Sequence, residues 1–161
     1  MPDAPLSLFD GTPGAGRPAE LVVYCDGGSR GNPGPSAIGA LVLDPATEPP
    51  VVLSAISERI GITTNNVAEY KSLIAGLEAA APYGARTIRV RADSKLVIEQ
   101  VAGRWKVRQA HLRPLHARVS ALLAQYDDVD LAHVPRAENA EADALVNAAL
   151  DLPEPDDRAR E

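Results

Sequence analysis

ELVVYCDGGSRGNPGPSAIGALVLD, residues 20–44, is the stretch that decides the fold. Its opening letters alternate between two faces, Leu21, Val23 and Cys25 on one and Val22, Tyr24 and Asp26 on the other, which predicts a strand over residues 20–26. GGSRGNPGP, residues 27–35, is rich in turn formers, and apolar residues resume over 36–44 as a second strand. DPATEPP, residues 44–50, separates it from a third strand over 51–60, so the chain opens as an antiparallel meander.

Outward from this hairpin the periodicity changes. Tyr70, Ile74, Leu77 and Ala81 recur at helical spacing within residues 66–83, and Gly84 closes that helix. A strand at 87–93, a helix at 94–102, a basic loop at 103–109, a helix at 110–125, a strand at 129–134 and a helix at 138–150 complete the pattern. Strands joined through helices pair in parallel with right-handed crossovers. The expected class is therefore α/β, a five-stranded mixed sheet of three antiparallel and two parallel strands flanked by helices. Residues 1–19 are rich in Pro, Gly and Ala without periodicity and read as an arm. Residues 151–161 are charged and broken by Pro, and read as an acidic tail or linker, which leaves residues 20–150 as one domain.

The aromatic residues number six, one Trp, four Tyr and one Phe, so Val, Leu, Ile and Ala must build the core. A single cysteine, Cys25, excludes an internal disulfide; no signal-peptide pattern or membrane-length apolar run is present, and a cytoplasmic monomer is expected. The formal charge of -6 is unevenly spread. Residues 1–20 and 151–161 hold eight acids and three bases, whereas residues 21–150 hold fourteen acids and thirteen bases. Between Gln100 and Tyr126 lie Arg104, Lys106, Arg108, Arg113 and Arg118 with no acid among them, the basic stretch a polyanion would meet.

Four carboxylates stand where strand and helix phase could bring them together. Asp26 and Asp93 end strands of similar pattern, LVVYC and IRVRA, and parallel neighbours would release both at one sheet edge, where ligands of open α/β sheets bind. Glu69 has Leu73, Gly76 and Leu77 at positions i+4, i+7 and i+8, and Asp143 has Val146 and Leu150 at i+3 and i+7, so both lean toward buried stripes. Such a group repels itself unless cations sit within it, and hard oxygen ligands favour magnesium or manganese. Each acid also has a local explanation: Asp26 as a turn former, Asp93 as a helix cap, and Glu69 and Asp143 as ordinary helix acids.

The text around these acids resembles the ribonuclease H type 1 family over roughly residues 20–150. Four blocks match in order: YCDGGSRGNPGPSAIGALV (24–42), TTNNVAEYKSLIAGL (63–77), VRADSKLVIEQVAGRWKV (90–107) and HVPRAENAEADALVNAAL (133–150). The resemblance implies the ribonuclease H-like fold and a two-ion magnesium site formed by Asp26, Glu69, Asp93 and Asp143. It implies an endonuclease cutting the RNA strand of RNA/DNA hybrids to leave 3′-hydroxyl and 5′-phosphate ends. Asn32, Asn65 and Asn66 match positions that contact RNA 2′-hydroxyls, although Asn also suits helix caps and turns. His133 matches a histidine assisting proton transfer or product release, and it stands equally well as the end of the fifth strand.

The chain lacks the long basic insertion of some members; Arg104, Lys106 and Arg108 of GRWKVR occupy that region and are the expected phosphate contacts. Trp105 there reads either as a base-stacking surface or as a packing anchor beneath the loop. In the arm, Leu6-Ser7-Leu8-Phe9 resembles the core of the short peptide by which bacterial replication and repair proteins dock on the sliding clamp, with Pro5 where a Gln usually leads. Two alternatives remain open: a binding module that keeps the fold without the chemistry, and the nuclease part of a larger polypeptide.

Overall fold

Alternating apolar side chains commit five segments to strands: β1 (Glu20–Ser29), β2 (Gly34–Asp44), β3 (Val51–Thr63), β4 (Thr87–Ala92) and β5 (Asp128–His133). Four helices lie between and after them: α1 (Asn65–Ala80), α2 (Lys95–Val101), α3 (Arg113–Leu123) and α4 (Ala140–Asp151). This computed structural model describes residues 17–153. The arm motif of Leu6, Leu8 and Phe9 lies outside the described residues, as does most of the acidic tail. Among the described residues no helix is long and apolar enough to cross a membrane.

The strands form one sheet in the order β3-β2-β1-β4-β5. β1 pairs antiparallel with β2 and β2 with β3, while β1–β4 and β4–β5 are parallel, so the expected mixed sheet is what forms. One face, carrying Leu21, Val23 and Cys25 of β1 and Ile88 and Val90 of β4, is covered by α1 with Tyr70, Leu73 and Leu77, backed by Val97 and Ile98 of α2 and Val119 of α3. The other face receives α4, whose Val146 and Ala149 meet Ala37. Helices lie on both faces of the sheet, and Leu21, Val23 and Cys25 of β1 are buried while Val22 and Tyr24 on the other face are half-buried.

Several boundaries differ from those expected from the sequence, each for a physical reason. β1 does not stop at Asp26: Gly27, Gly28 and Ser29 stay paired with Ile38, Ala37 and Ser36, so the turn is confined to the residues after Ser29. The buried line of α1 is Tyr70, Leu73, Leu77 and Ala80, with Ile74 only half-buried, because Gly76 seats the helix over Val23; a Cβ there would come within 2.7 Å of its Cγ1. The expected helix over 110–125 divides into a 3-10 turn, Ala110–Leu112, and α3, because Pro114 lacks an amide hydrogen and belongs at a helix start. The last helix likewise begins later than residue 138, after a 3-10 turn at Arg136–Asn139. There the Asn139 side chain is committed to the Cys25 carbonyl, to which its amide donates at 2.8 Å.

Candidate metal centre and nucleic-acid cleft

The parallel register of β1 and β4 matches Cys25 with Ala92, so the next residues, Asp26 and Asp93, come side by side where β4 ends. Asp26 remains within β1 opposite Gly39 and is 6% exposed, which removes it from the role of turn former. Asp93 does not cap α2 either; Ser94 does, accepting from the Val97 amide at 3.3 Å.

Glu69 reaches these two acids through a close approach of helix and strand. A Cβ on Gly27 would lie 2.2 Å from the Ala68 carbonyl carbon, so only glycine lets the first turns of α1 rest on β1. In that contact the Gly27 amide donates to Glu69 Oε1 at 2.7 Å. Gly39 does the same for the opposite layer: a Cβ there would lie 2.4 Å from the Ala142 carbonyl oxygen, so α4 packs directly on β2. Asp143 rides on the first turn of α4, where Asn147 Nδ2 donates to its Oδ2 at 3.3 Å. The sheet thus contributes two carboxylates, and each helical layer contributes one.

Asp26, Glu69 and Asp93 each place one ligand oxygen within 4.8 Å of the others, an arrangement able to hold a metal ion. Asp143 lines the same cleft of about 540 Å³ as Asp26 and Glu69. Burial, followed by the charges of Asp93 and Asp143, pushes Asp26 up to about 8. Burial, followed by the Asp26 charge, pushes Glu69 up to about 9, against the opposing pull of the Gly27 amide. Arg136 is the cation paired with this group, at 3.8 Å from Asp93 Oδ2, and it is 84% exposed. A single solvated guanidinium leaves most of the acidic charge uncompensated. Cys25 faces the core beneath α1, where burial raises its thiol well above the ordinary range and keeps it inert.

The asparagines form a connected loop rather than a cap. Thr64 caps α1, accepting from the Val67 amide at 3.3 Å. Asn65 Oδ1 accepts from the Ser29 amide at 2.9 Å, and Asn32 Oδ1 accepts from the Asn65 amide at 3.0 Å. Both amide oxygens are therefore engaged, and both exposed NH₂ groups are turned over to solvent or ligand. Asn66 instead lines a second cleft of about 600 Å³ with Trp105, Lys106 and Arg108.

His133 is the exposed last residue of β5, aligned with Ala92, so it stands at the carboxylate edge without joining the close acidic trio. Of the basic stretch, Arg104 is committed to both oxygens of Glu99 at 2.7 Å, and Arg118 to Glu78 at 2.9 Å. Lys106 and Arg108 have no ion-pair partner among the described residues. Trp105 is 44% exposed with the Lys95 ammonium 6.0 Å from its ring centroid, so it is not a packing anchor under the loop.

Sequence patterns missed the residues that fasten α4. Arg59 of β3 donates to the carbonyls of Ala149 at 3.0 Å and Leu150 at 3.2 Å, and also to that of Leu152. Arg30, in the turn after β1, pairs with Asp151 at 2.6 Å. The available signal was the absence of a basic residue from the helix's own last turn, which leaves its carbonyl end to be satisfied from elsewhere.

Residues 24–149 match the family model described as reverse transcriptase-like. The bifunctional protein Rv2228c of Mycobacterium tuberculosis is 47% identical over 132 residues, which is 82% of this chain and 36% of that one. The chain thus spans about a third of that relative. The solved N-terminal RNase H domain of Rv2228c superposes with a TM-score of 0.78, covering 82% of this chain and 99% of the solved chain. Ribonuclease HI of Halobacterium salinarum is 44% identical over 84% of this chain and 66% of its own length. LC11-RNase H1, solved in complex with an RNA/DNA hybrid, is 38% identical, with a TM-score of 0.74 over 81% of this chain and 96% of that one. The family match over residues 24–149 and the superpositions agree, and the chain belongs to the ribonuclease H family, in its type 1 branch.

Proposed function

We propose that this chain is an endoribonuclease that hydrolyses the RNA strand of RNA/DNA hybrids, leaving 3′-hydroxyl and 5′-phosphate ends. The observation that carries this reading is the gathering of Asp26, Glu69 and Asp93 within 4.8 Å, with one exposed arginine as countercharge. Three hard oxygen donors suit a divalent cation, whose charge would offset the burial and the mutual repulsion that raise Asp26 and Glu69. Asp26, Glu69, Asp93 and Asp143 would hold magnesium, two ions per site, with manganese as a substitute. When bound, such ions supply Lewis-acid polarisation of the attacking water and of the scissile phosphodiester.

The remaining work falls to the chain itself. The Gly27 amide holds Glu69 through its Oε1 at the lining of the cleft. The NH₂ groups of Asn32 and Asn65, aimed outward by their engaged oxygens, donate to 2′-hydroxyls along the RNA strand. Asn66 joins them on the RNA 2′-hydroxyls from the adjacent cleft, which it lines with Lys106 and Arg108, the two cations that take phosphates. Arg104 joins them only by releasing Glu99. His133, exposed at the same sheet edge, serves proton transfer at the leaving oxygen.

Residues 20–150 form the catalytic unit, acting as a cytoplasmic monomer, and residues 151–161 serve as an acidic tail or linker. The arm, residues 1–19, brings Leu6, Leu8 and Phe9 to a sliding clamp; unchanged clamp binding after deletion of residues 1–18 ends that assignment. A second reading, in which this domain serves as one unit of a longer polypeptide, is favoured by the bifunctional M. tuberculosis relative and leaves the chemistry unchanged. The test of the main reading is cleavage of a labelled RNA/DNA hybrid beside duplex RNA and duplex DNA, with magnesium and with chelator. Cleavage of the hybrid alone and only with magnesium is expected. Equal cleavage of all three duplexes, or full activity in chelator, overturns the proposal.

A further inference from the structure

We propose that Gln100 is a positioning residue for the hybrid: its buried amide ties the loop carrying Trp105 and Lys106 to α1 at the residue after Glu69. The inference rests on the hybrid-cleaving reading above. Residues 103–109 form neither helix nor strand, yet they carry Lys106 and Arg108, which have no ion-pair partner among the described residues, and the exposed Trp105. The first part of this segment folds back on α2, with the amides of Gly103, Arg104 and Trp105 donating to the carbonyls of Gln100 and Glu99. After Trp105 the backbone makes no such bond until Leu112 donates to Gln109, so side chains take over. Arg113 donates to the Val107 carbonyl at 3.2 Å from the solvent side.

Gln100 acts from inside. It is 4% exposed; its Nε2 donates to the Lys106 carbonyl at 3.2 Å, and its Oε1 accepts from the Tyr70 hydroxyl at 2.6 Å. Tyr70 is fully buried and follows Glu69 in α1. The Lys106 carbonyl accepts only, which fixes the amide orientation and makes Tyr70 the donor. A buried polar pair of this kind contributes little net stability compared with an apolar pair of the same shape. What an apolar pair could not supply is a fixed height for Lys106 above the second cleft.

The test uses Gln100→Met, Tyr70→Phe and the double variant, with steady-state kinetics on a labelled hybrid and acrylamide quenching of Trp105, the chain's one tryptophan. Gln100→Met is expected to raise KM about 3- to 10-fold, the range set by one lost hydrogen bond, with kcat within about twofold. Trp105 becomes more quenchable. Tyr70→Phe cuts the tie to α1 but spares the bond to Lys106, so its KM is expected to rise by a smaller factor than in Gln100→Met. The double variant removes both buried polar partners, so its melting temperature recovers while KM stays raised, and it carries the test if Gln100→Met fails to fold. An unchanged KM in Gln100→Met, or a KM that recovers together with the melting temperature in the double variant, overturns the proposal. A wild-type chain that does not cleave the hybrid overturns the functional reading and this inference with it, whereas an active wild type with an unchanged variant KM overturns this inference alone.

Discussion

Asp26→Asn should abolish cleavage and, in the absence of metal, make the protein more stable. Asp26 is 6% exposed and is pushed up to about 8 by burial and by the charges of Asp93 and Asp143. The ordinary Asp value, about 3.9, lies far below that, so between about pH 4 and pH 8 the folded chain holds a proton that the unfolded chain releases. Stability of the wild type therefore falls as pH rises through that window, and asparagine, which never ionises, escapes the loss. At pH 7 roughly three pH units of the window have been crossed, an upper limit of about 4 kcal/mol. Relaxation and water entry reduce it, giving on the order of 2 to 4 kcal/mol. For a domain of this size each kcal/mol shifts the melting temperature by roughly 3 °C, so a rise of roughly 6–12 °C is expected in EDTA at pH 7. The gain should shrink toward pH 4, and saturating magnesium should narrow it by stabilising the wild type more than the variant. A variant that melts at or below the wild type in EDTA, or a difference that does not change between pH 5 and pH 8, would refute the crowding of carboxylates on which the proposed metal site rests.

Three further outcomes test the packing and the grip. Gly39→Ala places a Cβ 2.4 Å from the Ala142 carbonyl oxygen; it should cost about 1–3 kcal/mol in thermal or denaturant melts and lower kcat, because α4 carries Asp143 as it lifts. Combined Lys106→Ala and Arg108→Ala should weaken hybrid binding near physiological salt and flatten the slope of log K against log salt by about 1.5 to 2, as read by fluorescence anisotropy with chelator present. Asn32→Ala removes the acceptor of the Asn65 amide and one free NH₂ donor; KM for the hybrid should rise roughly tenfold, with a stability loss near 1 kcal/mol, and a loss of kcat at unchanged KM would contradict its role in binding.

How much of this was legible in the sequence varies by residue. Strand phase put Asp26 on the face opposite Leu21, Val23 and Cys25 and put Asp93 at the end of a matching strand, because alternation is a property of each strand's own backbone. The same logic failed at Gly27 and Gly28, whose turn chemistry suggests a strand end where pairing continues to Ser29. The role of Gly27 is to admit α1 to the strand, a requirement that exists only once helix and sheet meet. Helical spacing found α1 but selected Ile74 and Ala81 where Leu73 and Ala80 are buried, since a period of 3.6 leaves the rotation of the helix to its neighbour. The asparagines looked like caps or ligands, and the cap proved to be Thr64.

By itself the sequence determined the order of strands and helices and the mixed sheet, because periodicity and turn chemistry are written into adjacent residues; the four acids were singled out by the resemblance of the blocks around them. Tertiary structure alone decided that the Gly27 amide holds Glu69, that Glu99 occupies Arg104, that Trp105 stands exposed and that Asp26 and Glu69 resist ionisation. Those are properties of surfaces brought together from distant parts of the chain. Desolvation and charge repulsion act between them only after they meet.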